Sequence, residues 1–510
     1  MPAVLIVGAG PTGLTLACTL ARQGVTVRVI EKSPGFHRIS RGKALNPRSL
    51  EVLADLGLGE RLTAAGRTGL VFRKYFAGEH VSDTDPLAEP PDGPESRYAG
   101  PLSIPQWRTE DLLRERLAEY GVQVELGTEL VGFTQDEQGV RAELADGRRI
   151  PADYLVGCDG ARSPVRRRLQ VAFEGRTDEQ QTMFCGDVEV DGELDPTVWH
   201  QWFGPDGAVL LCPFEGSSVW QFQATPETGP DGRPLEPSLE GFQRIFDRHA
   251  RMPGVRLRNA TWLSVWRANV RMAEHFRVGR VFLAGDAAHV HPFAGGLGMN
   301  TGIQDAWNLG WKLAHVLTGQ AGDALLDTYQ EERLPVAALA LDLSTGAHAK
   351  VMEAVRVPGV GVEAVATPDL RGLAVHYRWS SLAGSATAGS GGADERPRPG
   401  DRAPDAACPG PDGAPARLHE HFGGGRFTLL GFGAAALPAL AAAAERRPGL
   451  RTLALDAGPG TPADPQGRIR HAYGITGDDL VLVRPDHHLA LLAPAAEGRR
   501  VDDYLAALGR

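Results

Sequence analysis

Gly8, Gly10 and Gly13 form the pattern G-x-G-x-x-G between an apolar run and an amphipathic stretch that predict a strand and a helix. In that context the first glycine permits a tight turn, the second lets a diphosphate approach the backbone, and the third lets helix and strand pack closely. The free N–H groups at the helix start stabilise such an anion. Glu31 ends the next predicted strand, where an acid binds ribose hydroxyls. Together these residues favour a dinucleotide site over a plain strand–turn–helix connection.

Asp159 and Gly160 follow a second predicted strand, in the sequence CDGARSP. An Asp-Gly pair is often only a turn. Ser163 and Pro164 have the form of a helix N-cap followed by the first helical residue, which predicts that part of this run is structural. The run therefore leaves a turn and a binding role both open.

Gly285 and Asp286 come after the apolar run at 281–284. If that run is a parallel strand, the carboxylate of Asp286 lies at the carboxyl edge of the sheet, where ligands bind in open α/β folds. The glycine-rich sequence VHPFAGGLGMN at 290–300 then leads into a predicted helix. Unpaired N–H groups at the start of that helix would stabilise a ligand group that develops negative charge.

His289 and His291 are separated by one residue in the same turn. No carboxylate stands near them at the spacing of a metal site, and two histidines alone make a poor zinc site. We expect no metal here, and for both side chains a local structural role or a place beside the bound cofactor.

The order of predicted elements indicates an α/β protein with three units. Residues 1–170 and 276–385 form a discontinuous Rossmann-type domain, and residues 171–275 form an inserted, mostly antiparallel sheet. A stretch rich in Gly, Ser and Pro at 384–400 has the composition of a linker. Residues 386–510 form the third unit.

The composition excludes several function classes. The 510 residues carry 53 basic and 63 acidic side chains, a formal charge of −10, which gives no electrostatic footprint for nucleic acid or a membrane surface. No apolar run is long enough to span a bilayer, and the start lacks the basic region of a signal peptide. Five cysteines without a CxxC pair are typical of reduced thiols. We therefore expect a cytoplasmic protein.

The three glycine-containing runs, in this order over roughly residues 1–350, resemble the fingerprints of the class A flavoprotein monooxygenases of the para-hydroxybenzoate hydroxylase type. Within that family they are most similar to the aromatic polyketide hydroxylases of antibiotic pathways. The sequences PRPGDRAPD at 397–405 and LVRPDHHLA at 482–490 resemble the thioredoxin-like C-terminal domain of those enzymes. Because this unit lacks CxxC, we expect it to support the structure or a homodimer.

The resemblance implies FAD as cofactor and assigns residues to it by matching motif positions. The ADP half would contact Gly8, Gly10, Pro11, Thr12, Gly13, Glu31 and Lys32, and the diphosphate and ribityl chain would contact Arg41, Gln106, Gly285 and Asp286. Asp159 and Gly160 would contact FAD or NADPH. The residues that would lie against the isoalloxazine ring are Pro292, Gly295, Gly298, Met299 and Asn300. Leu297 stands where many relatives have Gln, and Phe293-Ala294 replaces the commoner Pro-Ala or Pro-Thr, so substrate details can differ.

The implied reaction is hydroxylation of a polycyclic aromatic, polyketide-type substrate. NADPH or NADH reduces FAD and leaves, and O2 then gives a C4a-hydroperoxyflavin whose distal oxygen an electron-rich phenol attacks. Only one dinucleotide fingerprint is present, which fits transient docking of NADPH. Spacing identifies no catalytic acid or base. The aromatic residues of the inserted sheet are expected in its core more than in a ligand wall: Trp199, Trp202, Phe203 and Trp220.

Two alternatives remain open from the sequence. The same flavin chemistry could perform Baeyer–Villiger insertion, epoxidation or oxidative inactivation of an antibiotic. A protein of another class could retain FAD but only sequester a reactive ligand.

Overall fold

The computed structural model describes residues 2–85, 87, 95–292, 294–354, 368–384, 396–409, 415–458, 461–462, 464 and 466–509. Phe293 and most of the predicted linker at 384–400 lie outside these residues. Within the described ranges, no helix combines the length and apolar composition needed to cross a membrane.

A six-stranded, mostly parallel sheet forms the first layer. Its strands, in spatial order, are Arg277–Val278, Val281–Leu283, Tyr154–Gly157, Val4–Val7, Val27–Ile30 and Val124–Glu125. Val4–Val7 lies in the middle, pairs in parallel with both neighbours and is fully buried. Parallel strands covered on both faces need side chains that are apolar throughout, which explains the run VLIV. The predicted strand–helix–strand unit is confirmed, with its helix at Pro11–Ala21.

Helices cover this sheet, and one of them, Leu297–Leu317, is buried along most of its length. They are Pro11–Ala21, Pro47–Asp55, Gly59–Ala65, Gln106–Glu119, Pro164–Arg168, Leu297–Leu317 and Asp327–Ala354. Two small sheets accompany them: Leu130–Gln135, Val140–Leu144 and Arg149–Ala152, and Ala44–Leu45, Arg67–Thr68 and Leu102–Ser103. We call Leu297–Leu317 the central helix, because it packs against the first helix and shares an apolar core with the C-terminal unit.

The second layer is an eight-stranded sheet. Its spatial order is His289–Val290, Arg256–Ala273, Phe173–Asp191, Val219–Ala224, Gly207–Pro213, Val198–Gly204, Val71–Phe76 and Glu79–Thr84. The predicted antiparallel pairing holds for all neighbours except Val198–Gly204 and Val71–Phe76, which are parallel. The sequence-based boundaries at 171 and 275 did not include the two strands at 71–84 or the strand at 289–290, which join through long-range pairing. Helix Leu239–Ala250 covers one face of this sheet.

The C-terminal unit is a four-stranded sheet in the order Arg451–Leu455, Thr428–Phe432, Asp479–Val483 and Leu489–Pro494. Its first two strands along the chain are parallel and the other pairs antiparallel, which is the thioredoxin-like arrangement that the sequence predicted. Helices Leu437–Arg446, Arg468–Tyr473 and Arg499–Ala507 flank it, and a hairpin, Ala407–Pro409 with Pro415–Arg417, precedes it. Short 3-10 turns complete the described elements: Gly285–Ala287, Ala294–Gly296, Asp323–Leu326, Pro368–Arg371, Leu418–His421, Ala434–Ala436 and Ala495–Glu497.

Candidate active site

The glycine-rich turn brings the first two motifs into direct contact. Gly8 has φ +106°, and a Cβ there would lie 2.3 Å from the carbonyl oxygen of Cys158. A Cβ on Gly13 would lie 2.1 Å from the carbonyl oxygen of Gly8. Only glycine permits both approaches, because real Cβ atoms do not come so close to backbone atoms. The spacing of these glycines therefore follows from the close packing of strand, helix and the turn at Asp159.

Gly10 occupies a different environment. Its φ is −77°, and a Cβ there would meet no protein atom within 4 Å. It is the N-cap of the first helix, yet no side chain accepts a hydrogen bond from the N–H groups of that turn. An open space in front of unpaired helix N–H groups is suited to a phosphate.

Thr12 joins the first motif to the third. The ideal Cβ positions of Gly285 and Gly302 lie 2.5 and 2.4 Å from the Oγ1 atom of Thr12, so neither position accommodates a larger residue. Gly285 also has φ +61°. The third motif and the central helix consequently meet at the start of the first helix, where Pro11 occupies the first helical position.

Glu31 lies beside the glycine-rich turn, at the end of its strand. Its carboxylate accepts hydrogen bonds from the backbone N–H of Ala9 at 3.1 Å and of Ser33 at 3.0 Å. Lys32 is exposed next to it. The acid is thereby fixed at the edge of the sheet, within reach of a sugar bound there.

Asp159 has one structural oxygen and one free oxygen. Its Oδ2 atom accepts from the backbone N–H of Val165 at 3.0 Å, while its Oδ1 atom is buried and has no hydrogen-bond partner in the described part of the chain. Burial raises the pKa of this carboxyl. Gly160 has φ +80°, and Ser163 caps the short helix by accepting from the N–H of Arg166, as predicted. A buried acceptor without a partner marks a place for a ligand donor.

Asp286 and Arg41 are both exposed and lie close enough to interact electrostatically. The carboxylate of Asp286 is open to solvent within the cleft, yet the surrounding protein raises its pKa by desolvation, against the attraction of His289 and Arg41. Arg41 is exposed, as the chain turns toward Gly42. The pair offers one negative and one positive group to a ligand lying along the sheet edge.

Gln106 and Met299 meet at Gly42. The Oε1 atom of Gln106 accepts from the N–H of Gly42 at 3.1 Å, and a Cβ on Gly42 would lie 3.0 Å from the Sδ atom of Met299. Two of the predicted site residues from distant parts of the chain are thus brought to one point. Gln106 also donates to Glu110 at 2.8 Å, and burial raises the pKa of Glu110 to about 7.

The glycine-rich turn leads into the central helix without a side-chain cap, in line with the unpaired N–H groups predicted there. Gly295 and Gly296 have φ +81° and +62°, and no side chain caps the helix N-terminus. Asn300 fixes this start: its amide donates to the carbonyl oxygen of Ala44 at 3.1 Å, and its Oδ1 atom accepts from the N–H of Asn46 at 2.9 Å. Pro292 is buried, and Gly298 and Leu297 follow the two glycines at the same turn.

His289 and His291 take part in a buried network that the sequence did not predict. The Nδ1 atom of His289 lies 2.8 Å from Nε2 of His291, and its Nε2 atom lies 2.6 Å from Oδ2 of Asp305. Asp305 also accepts from the N–H of Gly285 at 3.0 Å and from Nε of Arg333 at 2.7 Å. Burial lowers the pKa of His291 to about 3. Through Asp305, this network holds Gly285 and His289 of the third motif against the central helix.

One face of the eight-stranded sheet forms the floor of the cleft. Trp202 and Trp220 pack toward helix Leu239–Ala250, as the core prediction required, whereas Trp199 and Phe203 lie on the opposite face. Residue alternation places a row of polar side chains on that floor: Lys43 from the first domain contacts it, and Asp187, Gln201, Gln221 and Gln223 belong to it. These polar residues had no motif in the sequence.

Asp187 is fully buried in this floor. Its Oδ2 atom accepts from the backbone N–H of Ser40 at 2.7 Å, while its Oδ1 atom has no hydrogen-bond partner among the described residues. Desolvation raises the pKa of its carboxyl to about 6. Gln221 donates to the carbonyl oxygen of Ser40, so the segment before Arg41 is fastened to the floor.

Replacing Gly10 by alanine separates ligand binding from folding. The φ of Gly10 suits alanine and the added Cβ meets no protein atom, so we expect an unchanged thermal midpoint without ligand. The methyl group would occupy the space assigned to the diphosphate, and we expect the Kd for FAD, measured by fluorescence quenching, to rise at least about tenfold, or about 1.4 kcal/mol. Gly449→Ala, at another open position in the C-terminal unit, is the matched control. Equal FAD affinity in both variants would contradict the assignment of this space.

Comparison with known proteins identifies the family of the chain. A family model described as an FAD binding domain matches residues 1–344, and one described as an aromatic-ring hydroxylase C-terminal domain matches residues 396–510. A flavin-dependent monooxygenase of Mycobacteroides abscessus is 40% identical, with 99% of each chain covered. The 6-methylpretetramide 4-monooxygenase of Streptomyces rimosus is 38% identical over 98% of this chain and 91% of its own. A solved complex of aklavinone-11 hydroxylase with FAD and aklavinone is 30% identical, covers 100% and 99% of the two chains and has a TM-score of 0.84.

Proposed function

Since the chain belongs to the flavin-dependent aromatic-ring monooxygenases, we propose that it uses FAD, NAD(P)H and O2 to hydroxylate a polycyclic aromatic substrate of the polyketide type. The observation that carries this proposal is an open space at Gly10 before uncapped helix N–H groups, together with a partly polar sheet face that Lys43 joins to the segment beside Met299. A cytoplasmic location fits the NAD(P)H requirement and the five cysteines, which are all buried and unpaired.

The residues of the cleft fit FAD. The open space at Gly10 and the N–H groups of the first helix suit the diphosphate, and Glu31 suits the ribose. Arg41, Gln106 and Asp286 line the path toward the central helix, where Gly298 to Asn300 would lie against the ring. Asp159 keeps a buried free acceptor for a donor of FAD or NADPH.

FAD, when bound, supplies the redox chemistry that takes electrons from NAD(P)H and activates O2. The chain supplies position and electrostatics. The uncapped start of the central helix offers backbone N–H groups that would stabilise negative charge on a ring bound beside it. Asp305 holds Gly285 and His289 so that this edge does not shift. The sheet floor, backed by helix Leu239–Ala250, excludes water from below.

The test is aerobic NADPH consumption by the FAD-loaded protein across a panel of polycyclic phenols, with mass spectrometry of products. We expect a yellow protein whose NADPH oxidation accelerates with a phenol and whose product contains one added oxygen. The matched control is each phenol as its methyl ether. A colourless protein that takes up no flavin would refute the proposal.

The same experiment separates the alternatives. A ring-opened lactone or an epoxide among the products would favour a different use of the same oxygen chemistry. Bound FAD and bound phenol without turnover would favour a ligand-sequestering protein.

A further inference from the structure

Lys43 extends from the first domain to the sheet floor. Its Nζ atom donates to Oε1 of Gln223 at 2.7 Å and lies 3.9 Å from the centre of the Trp199 ring. Both partners belong to the face of the sheet turned toward the proposed flavin site. The residue is bonded to Gly42, which contacts Gln106 and Met299.

The partners of this ammonium group are all neutral. Among the described residues no carboxylate oxygen lies within 4 Å of Nζ, and the titratable groups that face it are the thiols of Cys185 and Cys212. Lys312, by contrast, is fully buried and has Glu332 at 2.7 Å, whereas Lys43 is half-buried. Desolvation lowers the pKa of Lys43 to about 8. Partial removal of a cation from water costs free energy unless an anion accompanies it.

A ligand anion would supply the missing charge. An ammonium group has three N–H donors, and Gln223 and the face of Trp199 account for two directions. The neighbouring floor residues are also short of partners, since Oδ1 of Asp187 and Oε1 of Gln221 are buried without one in the described ranges. Polar atoms of a hydroxylated ring system would satisfy such groups, whereas a plain hydrocarbon would not.

We propose that Lys43, with Gln223 and Trp199, forms a subsite that binds an ionised oxygen of the aromatic substrate, a phenolate or an equally acidic enolate. The inference rests on the proposed function and names the charge state of its substrate. Lys43 is in this view a positioning residue: the salt bridge fixes one oxygen of the ring system on the floor and so fixes which edge faces the flavin. The subsite discriminates against ethers of the same phenol, which cannot carry the charge.

The test uses alizarin, a dihydroxyanthraquinone whose absorption moves to longer wavelength on ionisation. FAD-loaded wild type is titrated with the dye and then with acid and base. We expect bound alizarin to ionise at a pH lower by about one unit or more than the free dye, because a cation within salt-bridge distance favours the anion. Lys43→Met should abolish that shift and weaken binding at neutral pH at least about tenfold, while Lys43→Arg should restore both.

Controls separate this result from a loss of structure or of the main function. Lys350→Met, at an exposed position of helix Asp327–Ala354, should behave as wild type. Gln223→Leu, which keeps the charge but removes its anchor, should give an intermediate shift even if Lys43→Met folds poorly. An unchanged dye spectrum in Lys43→Met, or preferential binding of neutral dye by wild type, would overturn the proposal. A spectral shift without phenol-stimulated NADPH oxidation would leave the subsite standing and refute only the function.

Discussion

Glu332→Gln is expected to lower the free energy of unfolding by about 3–5 kcal/mol, because it removes the carboxylate of the buried Lys312 and leaves one positive charge of the cluster uncompensated. Glu332 accepts from Lys312 at 2.7 Å and from both terminal nitrogens of Arg484 at 2.6 and 2.9 Å. None of the three side chains is exposed. Asp486 supplies the second negative charge, so the cluster is balanced only with Glu332 present.

The measurement is denaturant unfolding with the m-value fitted separately. Glu445→Gln, at an exposed position of helix Leu437–Arg446, is the matched control and should change stability by about 0.5 kcal/mol or less. A loss below about 1 kcal/mol in Glu332→Gln would mean that water or rearrangement satisfies the cations.

The same cluster explains the place of the C-terminal unit. Arg484 and Asp486 belong to that unit, whereas Lys312 lies on the central helix that starts beside Met299. Apolar contacts continue this connection, since Trp311 of the central helix shares a core with Phe427 and Leu482. The C-terminal unit therefore stabilises the helix that forms part of the cleft, which is a structural role and requires no CxxC pair.

Asp305→Asn is expected to lower the free energy of unfolding by a similar amount, about 3–5 kcal/mol, and to weaken FAD retention. Asp305 accepts from Arg333 at 2.7 Å, from His289 at 2.6 Å and from the N–H of Gly285 at 3.0 Å, all without exposure to solvent. The amide has no charge for Arg333. Gly285 precedes Asp286, so loosening it disturbs the proposed ribityl contact.

The pH dependence of this effect has a definite sign. Burial would raise the pKa of Asp305, but His289 and Arg333 hold it well below its usual range. A lowered pKa means that the carboxylate stabilises the fold above the unfolded value, near 3.9, and loses that contribution as the pH falls toward the folded value. The stability difference between wild type and Asp305→Asn should therefore be constant above about pH 5 and shrink below about pH 4.

Denaturant unfolding at several pH values measures the stability difference between the two proteins. The FAD absorbance that remains after gel filtration measures FAD retention. Asp342→Asn, on the exposed side of helix Asp327–Ala354, provides the control. A difference that grew on acidification would show that Asp305 is not the stabilising anion.

Local sequence patterns predicted most elements of the first domain and the segments assigned to the cofactor. Gly13 is required by its contact with Gly8 within one strand–turn–helix, and Gly8 and Gly285 have positive φ in their turns, so these glycines are readable from the local sequence. The N-caps at Asn46 and Ser163 were readable for the same reason, since each bonds three residues onward. The roles of these residues toward FAD stay a prediction.

Other features depended on pairs far apart in the chain. The strands at 71–84 join the eight-stranded sheet through Val198–Gly204, more than a hundred residues away. Residue alternation places Trp199 and Trp202 on opposite faces of the sheet. Only the packing of helix Leu239–Ala250 decided which of the two faces became the core. Asp305 and Lys43 carry no motif, because their chemistry comes from neighbours such as Arg333 and Gln223 that folding alone brings close.

The sequence by itself determined the backbone of the glycine-rich turn after the first strand, since glycine at fixed intervals is a steric requirement of that short segment. Only the tertiary structure decided the charges and the floor of the cleft. Burial and pairing, which set whether a lysine or an aspartate is a binding group, depend on side chains from distant strands and helices.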